Sequence, residues 1–204
     1  PEGNVEDETP LKIPALIQQY QVTELQCAPS FAAMHLSQAD NEQLQTLNNI
    51  FFGGEALSAS VVQEMSGLTT ASIHNMYGPT EATVWSTSSK VTPSDGEPMI
   101  GKPLVGYQCF VLDRNKNRVP AGTPAELFIA GNAVSAGYIN NSEETSRRFF
   151  DGTGITQQKL YATGDIVSWT LDGNLKYKGR SDNQVKLRGY RIELSEIEHV
   201  INLY

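Results

Sequence analysis

The amino-acid sequence predicts an α/β protein in three successive parts. Helix-like and strand-like segments alternate over the first half, which favours a mostly parallel sheet covered by helices. After about Val91, Pro and Gly recur between short strand-like runs, a texture typical of a small antiparallel β-barrel or sandwich. A third change at Gly179 begins an alternating run and a helical pattern, which predict the start of a small α+β C-terminal lobe.

These changes divide the 204 residues into four segments. Residues 1–9 are an acidic lead-in with few apolar side chains, which we expect to fray. Residues 10–105 form the predicted α/β subdomain, and residues 106–180 form the barrel-like subdomain. Residues 181–204 begin the C-terminal lobe.

Apolar spacing places six elements in the first half. Apolar residues at three- and four-residue spacing, with Pro14 near the start, predict an amphipathic first helix. A short apolar run stopped by Gly53 and Gly54 is typical of a buried parallel strand. The predicted helices span residues 11–20, 29–36 and 58–65, and the predicted strands span residues 22–27, 49–52 and 71–76.

Shorter elements are predicted in the second half. Residues 107–113 and 125–130 have β-like composition between Pro- and Gly-rich turns. Residues 184–188 alternate, Gly189 and Tyr190 suit a turn, and apolar spacing over residues 192–204 predicts a helix.

Composition excludes several classes of function. The net charge of −8 argues against binding to nucleic acid or to an anionic membrane surface. No apolar run approaches the roughly 20 residues that a membrane span needs. Cys27 and Cys109 are far apart, which favours buried thiols in a reduced, cytoplasmic protein. The three histidines lack metal-ligand spacing and receive no role.

Residues 75–81 (Asn-Met-Tyr-Gly-Pro-Thr-Glu) are the most informative segment. A strand ends there, and Gly78-Pro79 forces a turn that could simply cap the next element. The same geometry also suits a ligand, because the carboxyl ends of parallel strands face the crevice where open α/β sheets bind phosphates. Tyr77 offers an aromatic face for a base, and Glu81 offers a hard oxygen ligand for Mg²⁺.

Four segments together carry a family resemblance. Residues 75–81 match the NxYGPTE signature of nonribosomal peptide synthetase adenylation domains, in the adenylate-forming, AMP-binding superfamily. Residues 125–138 resemble GELxIxGxGxARGY, residues 161–165 resemble Y(R/K)TGD, and residues 179–194 resemble GRxDxQVKxRGxRIEL. The motifs occur in family order, and the resemblance extends from about residue 11 to the end.

The resemblance implies a reaction and its partners. Such domains join an amino acid to ATP, releasing pyrophosphate and forming aminoacyl-AMP with Mg²⁺. They then transfer the acyl group to the phosphopantetheine thiol of a partner carrier domain. Carrier and condensation domains of the same synthetase are the implied partners.

The resemblance also implies roles for nucleotide-site residues. Thr80 and Glu81 would be catalytic at the α-phosphate, with Glu81 as the metal ligand. Asp165 would accept hydrogen bonds from the ribose hydroxyls, although an Asp in a β-turn is the alternative. Arg180 would contact ribose or phosphate oxygens. Tyr177 would enclose the ribose or merely pack on the barrel. The implied adenine site comprises Gly54, Glu55, Ala56, Asn75, Tyr77 and Gly78.

Two further sets of residues are implied. Asp182 matches the hinge of the C-terminal lobe, with a solvated loop carboxylate as the alternative. The second set forms an apolar amino-acid pocket for an uncharged side chain, in which Gly53 would leave room for the substrate. The alternative for Val84 and Trp85 is that they pack within a strand. The implied pocket residues are Gln26, Phe51, Gly53, Met76, Val84 and Trp85.

The sequence also departs from the family pattern. Residues 132–136 replace a glycine-rich, arginine-bearing run, so no role is carried over to that loop, and Ala125 and Ala162 also differ. Lys186, Arg188 and Arg191 suit a solvated hairpin face first and a carrier contact second.

The 204 residues lack three parts that the family uses. They contain no phosphate loop ending in Pro-Lys-Gly, no aspartate-bearing segment for the substrate amine and no counterpart of the late catalytic lysine. These residues alone are therefore expected not to form aminoacyl-AMP. The alternatives are an acyl- or aryl-CoA ligase of the same superfamily and a non-catalytic nucleotide-binding remnant.

Overall fold

The computed structural model describes residues 12–182, 184–187 and 190–202, so the acidic lead-in predicted at 1–9 lies outside the described residues. The first sheet has the strand order β1-β2-β3-β4-β5. Its strands are β1 (Glu24–Cys27), β2 (Asn49–Phe52), β3 (Ser72–Tyr77), β4 (Thr87–Val91) and β5 (Lys102–Pro103). Four helices precede or connect its first three strands: α1 (Ile13–Gln19), α2 (Pro29–His35), α3 (Asn41–Leu44) and α4 (Ala59–Leu68).

The first sheet is parallel over only part of its width. β1, β2 and β3 are parallel, whereas β4 and β5 are added antiparallel. The chain between β3 and β4 is too short for the crossover that a parallel pair requires. The predicted parallel pairing is therefore confirmed for β1, β2 and β3. The 75–81 motif begins in the last residues of β3.

Apolar burial holds the helices on this sheet. Ile50 and Phe52 of β2 are fully buried against Leu36, Leu44 and Met65. The run stops at Gly53 and Gly54, as the sequence predicts. α4 begins one residue later than expected because Ser58 is its N-cap, with its hydroxyl oxygen accepting from the Val61 amide at 3.3 Å.

The second sheet is antiparallel, with the order β10-β9-β7-β6 and β8 paired to β9. Its strands are β6 (Tyr107–Leu112), β7 (Ala125–Gly131), β8 (Phe149–Phe150), β9 (Leu160–Trp169) and β10 (Leu175–Arg180). Helix α5 (Ser142–Arg148) leads into β8. Among the described residues no ladder joins β6 to β10, so closure into a barrel remains a prediction.

The two sheets are joined by backbone hydrogen bonds. The amide of Leu175 in β10 donates to the Gly101 carbonyl at 2.7 Å, and the Ile100 amide donates to the Leu175 carbonyl at 3.0 Å. A Cβ on Gly101 would lie 1.9 Å from the Ser88 carbonyl oxygen, so glycine is required where the sheets meet. This seam places the end of β3 beside β9 and β10.

The last described segment is a hairpin followed by a helix: β11 (Gln184–Leu187), β12 (Tyr190–Glu193) and α6 (Leu194–Ile201). The prediction of a helix from residue 192 is wrong at its start, because Ile192 and Glu193 pair with Val185 and Gln184. The turn predicted at Gly189 lies outside the described residues, and Tyr190 belongs to β12 rather than to that turn.

Two further expectations can be compared with the described residues. Every helix that the structure describes is too short or too polar to cross a bilayer. Cys27 and Cys109 are free and partly buried, and burial raises the pKa of Cys27 to about 11 and that of Cys109 to about 12. Both thiols are therefore protonated at neutral pH.

Two leucines give a matched test of the second sheet's core. Leu127 in β7 is fully buried, whereas Leu171 is 98% exposed. We expect Leu127→Ala to lower the free energy of unfolding by about 2–5 kcal/mol. Leu171→Ala should change it by less than about 0.5 kcal/mol. Urea denaturation measures both, and similar losses would contradict the assignment of β7 to the core.

Candidate functional site

Two neighbouring cavities form one crevice between the sheets. The larger has a volume of about 370 Å³ and the smaller about 210 Å³. Residues after β2 and at the end of β3 form one wall, and residues of β9 and β10 form the other. The wall residues common to both cavities are Gly54, Tyr77, Gly78, Asp165, Arg180 and Gln184.

Most of the predicted site residues line this crevice. Those in the wall of the larger cavity are Gly54, Glu55, Ala56, Asn75, Met76, Tyr77, Gly78, Asp165, Tyr177 and Arg180. Thr80, Val84 and Trp85 line the smaller cavity. The remaining predicted residues, which line neither cavity, are Gln26, Phe51, Gly53, Glu81 and Asp182.

A short hydrogen bond crosses the crevice from the first sheet to the second. The Tyr77 hydroxyl donates to Asp165 Oδ2 at 2.5 Å, and both residues are buried. Burial, followed by the negative charge of Asp165, raises the pKa of Tyr77 well above its ordinary value. The phenol therefore stays protonated and acts as a donor.

Arg180 pairs with Asp165 within the second sheet and extends the network to the predicted hinge residue. Its Nη1 donates to Asp165 Oδ1 at 2.7 Å, while Nε and Nη2 donate to the two oxygens of Asp182 at 2.6 and 2.8 Å. Arg148 of α5 also contacts Asp182, at 3.3 Å. Asp182 is therefore held by two guanidinium groups, and its reading as a solvated loop carboxylate is wrong.

Asp165 lies within strand β9 and is 5% exposed, so its alternative reading as an Asp in a β-turn is wrong. Its carboxylate receives hydrogen bonds from Tyr77 and Arg180. A carboxylate acts only as a hydrogen-bond acceptor when it is ionised. Tyr177 lines the larger cavity, and burial, with a further contribution from Asp165, raises its pKa to about 12.

The turn after β3 depends on a close backbone approach. A Cβ on Gly78 would lie 2.4 Å from the Val84 carbonyl oxygen and 2.8 Å from the Ser86 nitrogen. Thr80–Ala82 form a 3₁₀ turn, after which Thr83 and Val84 both have positive φ, at 53° and 69°. Left-handed backbone is costly for β-branched residues, so the rim of the smaller cavity is a strained segment.

Glu81 is held beside the crevice. It is 6% exposed, and its Oε1 accepts a hydrogen bond from the Tyr138 hydroxyl at 2.6 Å. Among the described residues no three His, Cys, Asp or Glu side chains form a metal cluster. One carboxylate next to Thr80 nevertheless fits the donor chemistry of Mg²⁺, which proteins bind through one or two carboxylates plus substrate phosphates.

Trp85 changes the interpretation of the amino-acid pocket. A Cβ on Gly53 would lie 2.0 Å from the Trp85 ring, and Trp85 Nε1 donates to Gln26 Oε1 at 3.3 Å. Gly53 thus makes room for this indole, and the expectation that it opens the pocket is wrong. Val84 and Trp85 lie in the loop before β4, so strand packing is also wrong for them. Phe51 stacks on His74, with ring centroids 5.1 Å apart.

Sequence reasoning missed several wall residues. Gln184 is 6% exposed and lines both cavities, although it had no assigned role within the 179–194 motif. The Asn75 side chain donates to the Met99 carbonyl at 2.8 Å, which ties the Pro98–Ile100 loop to the crevice. The Pro98-to-Gly101 turn was a signal for a bend, but nothing local showed that β3 would face it.

Sequence comparison gives a single family. The sequence model described as "AMP-binding enzyme" matches residues 3–139. The dimodular nonribosomal peptide synthase of Bacillus subtilis is 38% identical over 194 residues, covering 94% of this chain and 8% of that protein. The chain spans 8%, 15% and 14% of the length of three curated relatives.

Solved structures share the fold. A Vibrio cholerae adenylation domain in complex with glycyl-adenosine-5'-phosphate gives a TM-score of 0.81 at 28% identity, covering 93% of this chain and 37% of that one. A synthetase protein containing adenylation and PCP domains, bound to a vinylsulfonamide inhibitor, gives 0.84 at 26%, covering 93% and 34%. The predicted α/β class is confirmed.

The carboxylate of Asp182 predicts an acid-dependent loss of stability. Burial opposes its ionisation, but hydrogen bonding and charge from Arg180 outweigh burial and lower its pKa from 3.8 to about 2. A carboxyl group whose pKa is lowered by folding stabilises the protein at pH values above its ordinary pKa. That stabilisation is lost as the pH falls through its pKa in the folded protein. We expect Asp182→Asn to flatten the decline in melting temperature between about pH 4 and about pH 2. An unchanged slope relative to wild type would contradict this assignment.

Proposed function

Because the chain belongs to the AMP-binding enzyme family, we propose that it supplies the nucleotide site of an amino-acid-activating adenylation domain in nonribosomal peptide synthesis. The resemblance found in its sequence is confirmed by relatives that are nonribosomal peptide synthetases. One observation supports the proposal most directly: Tyr77, Asp165 and Arg180 meet in the walls of one crevice. Three separate sequence motifs supply these three residues.

The larger cavity is the proposed adenosine site. Gly54, Glu55 and Ala56 follow strand β2 and offer a backbone edge to the base, with Tyr77 beside it. Asp165 would accept the ribose hydroxyls, and Tyr177 would close the same cavity. Its volume of about 370 Å³ lies within the range of about 300–1,000 Å³ that is usual for small-molecule pockets.

The smaller cavity is the proposed site of bond formation. Thr80 and Arg180 both line it, so a hydroxyl and a guanidinium face the same space. When an amino-acid carboxylate attacks the α-phosphorus, charge develops on the phosphoryl oxygens and pyrophosphate leaves. Fixed donors around that charge stabilise the transition state.

Glu81 is the proposed ligand of a divalent cation at this end of the crevice. Mg²⁺ supplies charge neutralisation at the phosphates when it is bound. The protein's own contribution is a carboxylate held in a fixed turn, because Glu81 is buried and bonded to Tyr138.

The amino-acid side chain is proposed to be uncharged and small. Val84 and Trp85 line the smaller cavity, and the Trp85 indole occupies the space above Gly53. A pocket of about 210 Å³ shared with reacting groups leaves little room beyond this ring. No charged partner for a substrate side chain is contributed by Gln26, Phe51, Met76, Val84 or Trp85.

The proposed partners are the carrier and condensation domains of a cytoplasmic synthetase. The acyl group would pass from AMP to a phosphopantetheine thiol on the carrier domain. Asp182 is the proposed hinge, because it lies between strand β10 and the β11–β12 hairpin. The side chains of Lys186 and Arg191, and all of Arg188, lie outside the described residues. The 204 residues alone are proposed to be inactive, because they lack the phosphate loop, the aspartate-bearing segment and the late catalytic lysine that the family uses.

Pyrophosphate exchange in the full-length protein tests the proposal. We expect exchange that depends on an uncharged amino acid and is absent with fatty or aryl acids, which would instead indicate a CoA ligase. Asp165→Asn should weaken nucleotide binding about 10- to 100-fold, since a hydrogen bond to a charged group is lost. The exposed Asp172→Asn is the matched control. If no acid supports pyrophosphate exchange but the protein still binds AMP, the result would favour a non-catalytic remnant.

The indole of Trp85 predicts a change of substrate preference. We expect Trp85→Ala to shift the ratio of kcat/KM values toward larger apolar amino acids by at least about ten-fold, because it opens the space above Gly53. Trp85→Phe retains a ring and should shift the ratio less. Competition among amino acids in the exchange assay measures this, and an unchanged ranking would remove Trp85 from the pocket.

A further inference from the structure

The loop at residues 131–138, which contains the 132–136 run left without a role, is bonded directly to the turn that carries Thr80 and Glu81. The Ser135 amide donates to the Glu81 carbonyl at 2.8 Å, and the Thr83 hydroxyl donates to the Ala133 carbonyl at 2.7 Å. The Tyr138 hydroxyl donates to the Glu81 carboxylate at 2.6 Å. The first bond fixes the backbone of the turn, the second holds the Thr83 side chain that follows it, and the third fixes the Glu81 carboxylate.

Tyr138 is itself rigidly supported from the second sheet. Its ring packs edge-on against Phe149, with centroids 5.5 Å apart and planes at 72°. Its amide donates to the Thr145 hydroxyl at 2.8 Å. A Cβ on the preceding Gly137 would lie 2.4 Å from the Thr145 side chain, so the loop is pressed onto helix α5.

From this geometry we infer that Tyr138 is a positioning residue, which orients the Glu81 carboxylate for the divalent cation that accompanies ATP. The inference rests on the proposed function, because it needs a nucleotide in the crevice. A carboxylate that ligates a metal is usually oriented by a hydrogen bond from a neighbouring group. The bond from Tyr138 has the length of a hydroxyl donating to an ionised carboxylate, about 2.5–2.7 Å.

The chain contains a matched control for this role. The Tyr107 hydroxyl donates at 2.7 Å to the Ala82 carbonyl, one residue further along the same turn. Tyr107→Phe therefore removes a hydrogen bond of similar length from the same turn but leaves the carboxylate bond intact. Tyr138→Phe removes the carboxylate bond and retains the ring that packs on Phe149.

The test is a Mg²⁺ titration of the binding of α,β-methylene-ATP to the full-length protein, followed by calorimetry. We expect Tyr138→Phe to raise the Mg²⁺ concentration at half-saturation about ten-fold or more. Tyr107→Phe should stay close to wild type. Adding Tyr138→Phe to Glu81→Gln should cause no further shift, because Tyr138 acts through that carboxylate. Binding of AMP without metal should be unchanged in both tyrosine variants.

Several results would overturn the inference. The first is an unchanged Mg²⁺ concentration at half-saturation in Tyr138→Phe, and the second is an equal change in both tyrosine variants. The third is wild-type nucleotide binding that does not depend on Mg²⁺. Loss of a cooperative melting transition in Tyr138→Phe would also overturn it, by making the residue structural. The titration requires no amino acid or turnover. Failure of amino-acid-dependent exchange would therefore count against the proposed function and leave this result standing.

Discussion

The ion pair between Arg180 and Asp165, with the Tyr77 hydroxyl on the other carboxylate oxygen, is the interaction on which the site depends. The ion pair joins neighbouring strands of the second sheet, and the Tyr77 hydroxyl adds a bond from the first sheet. Both charged side chains are largely shielded from water, so each needs the other to remain there. The same guanidinium donates to both oxygens of Asp182. One charged network therefore connects the crevice with the start of the C-terminal hairpin. Asp165 and Asp182 are thus linked through one guanidinium.

Sequence reasoning predicted the three parallel strands of the first sheet, because each is a short run between turn or helix signals. β2 was predicted at its observed bounds, and helices α1, α2 and α4 were predicted within a few residues, whereas α3, β4 and β5 were not predicted. It missed β9 and β10, which are the longest strand and its partner. The Thr-Gly-Asp sequence interrupts the apolar pattern of β9. Its two polar side chains are buried because they bond to Leu127 and Arg180, which are distant in the sequence.

The residues of the site were predicted more fully than the contacts between them. Motifs identified the wall of the larger cavity, since each motif contributes a short local piece of it. The indole of Trp85 packs against Gly53, 32 positions away, and the hydroxyl of Tyr138 bonds to Glu81, 57 positions away. Such contacts follow from how the sheets dock, which no local pattern records.

The left-handed backbone of Thr83 and Val84 has a consequence for how this site could evolve. Residues in such conformations cost about 1–3 kcal/mol each, and asparagine or glycine would relieve part of that cost. Selection for thermostability alone would therefore favour replacing the valine that borders the smaller cavity. Such a replacement would also change a side chain that lines the smaller cavity, so stability and cavity shape are coupled at one position.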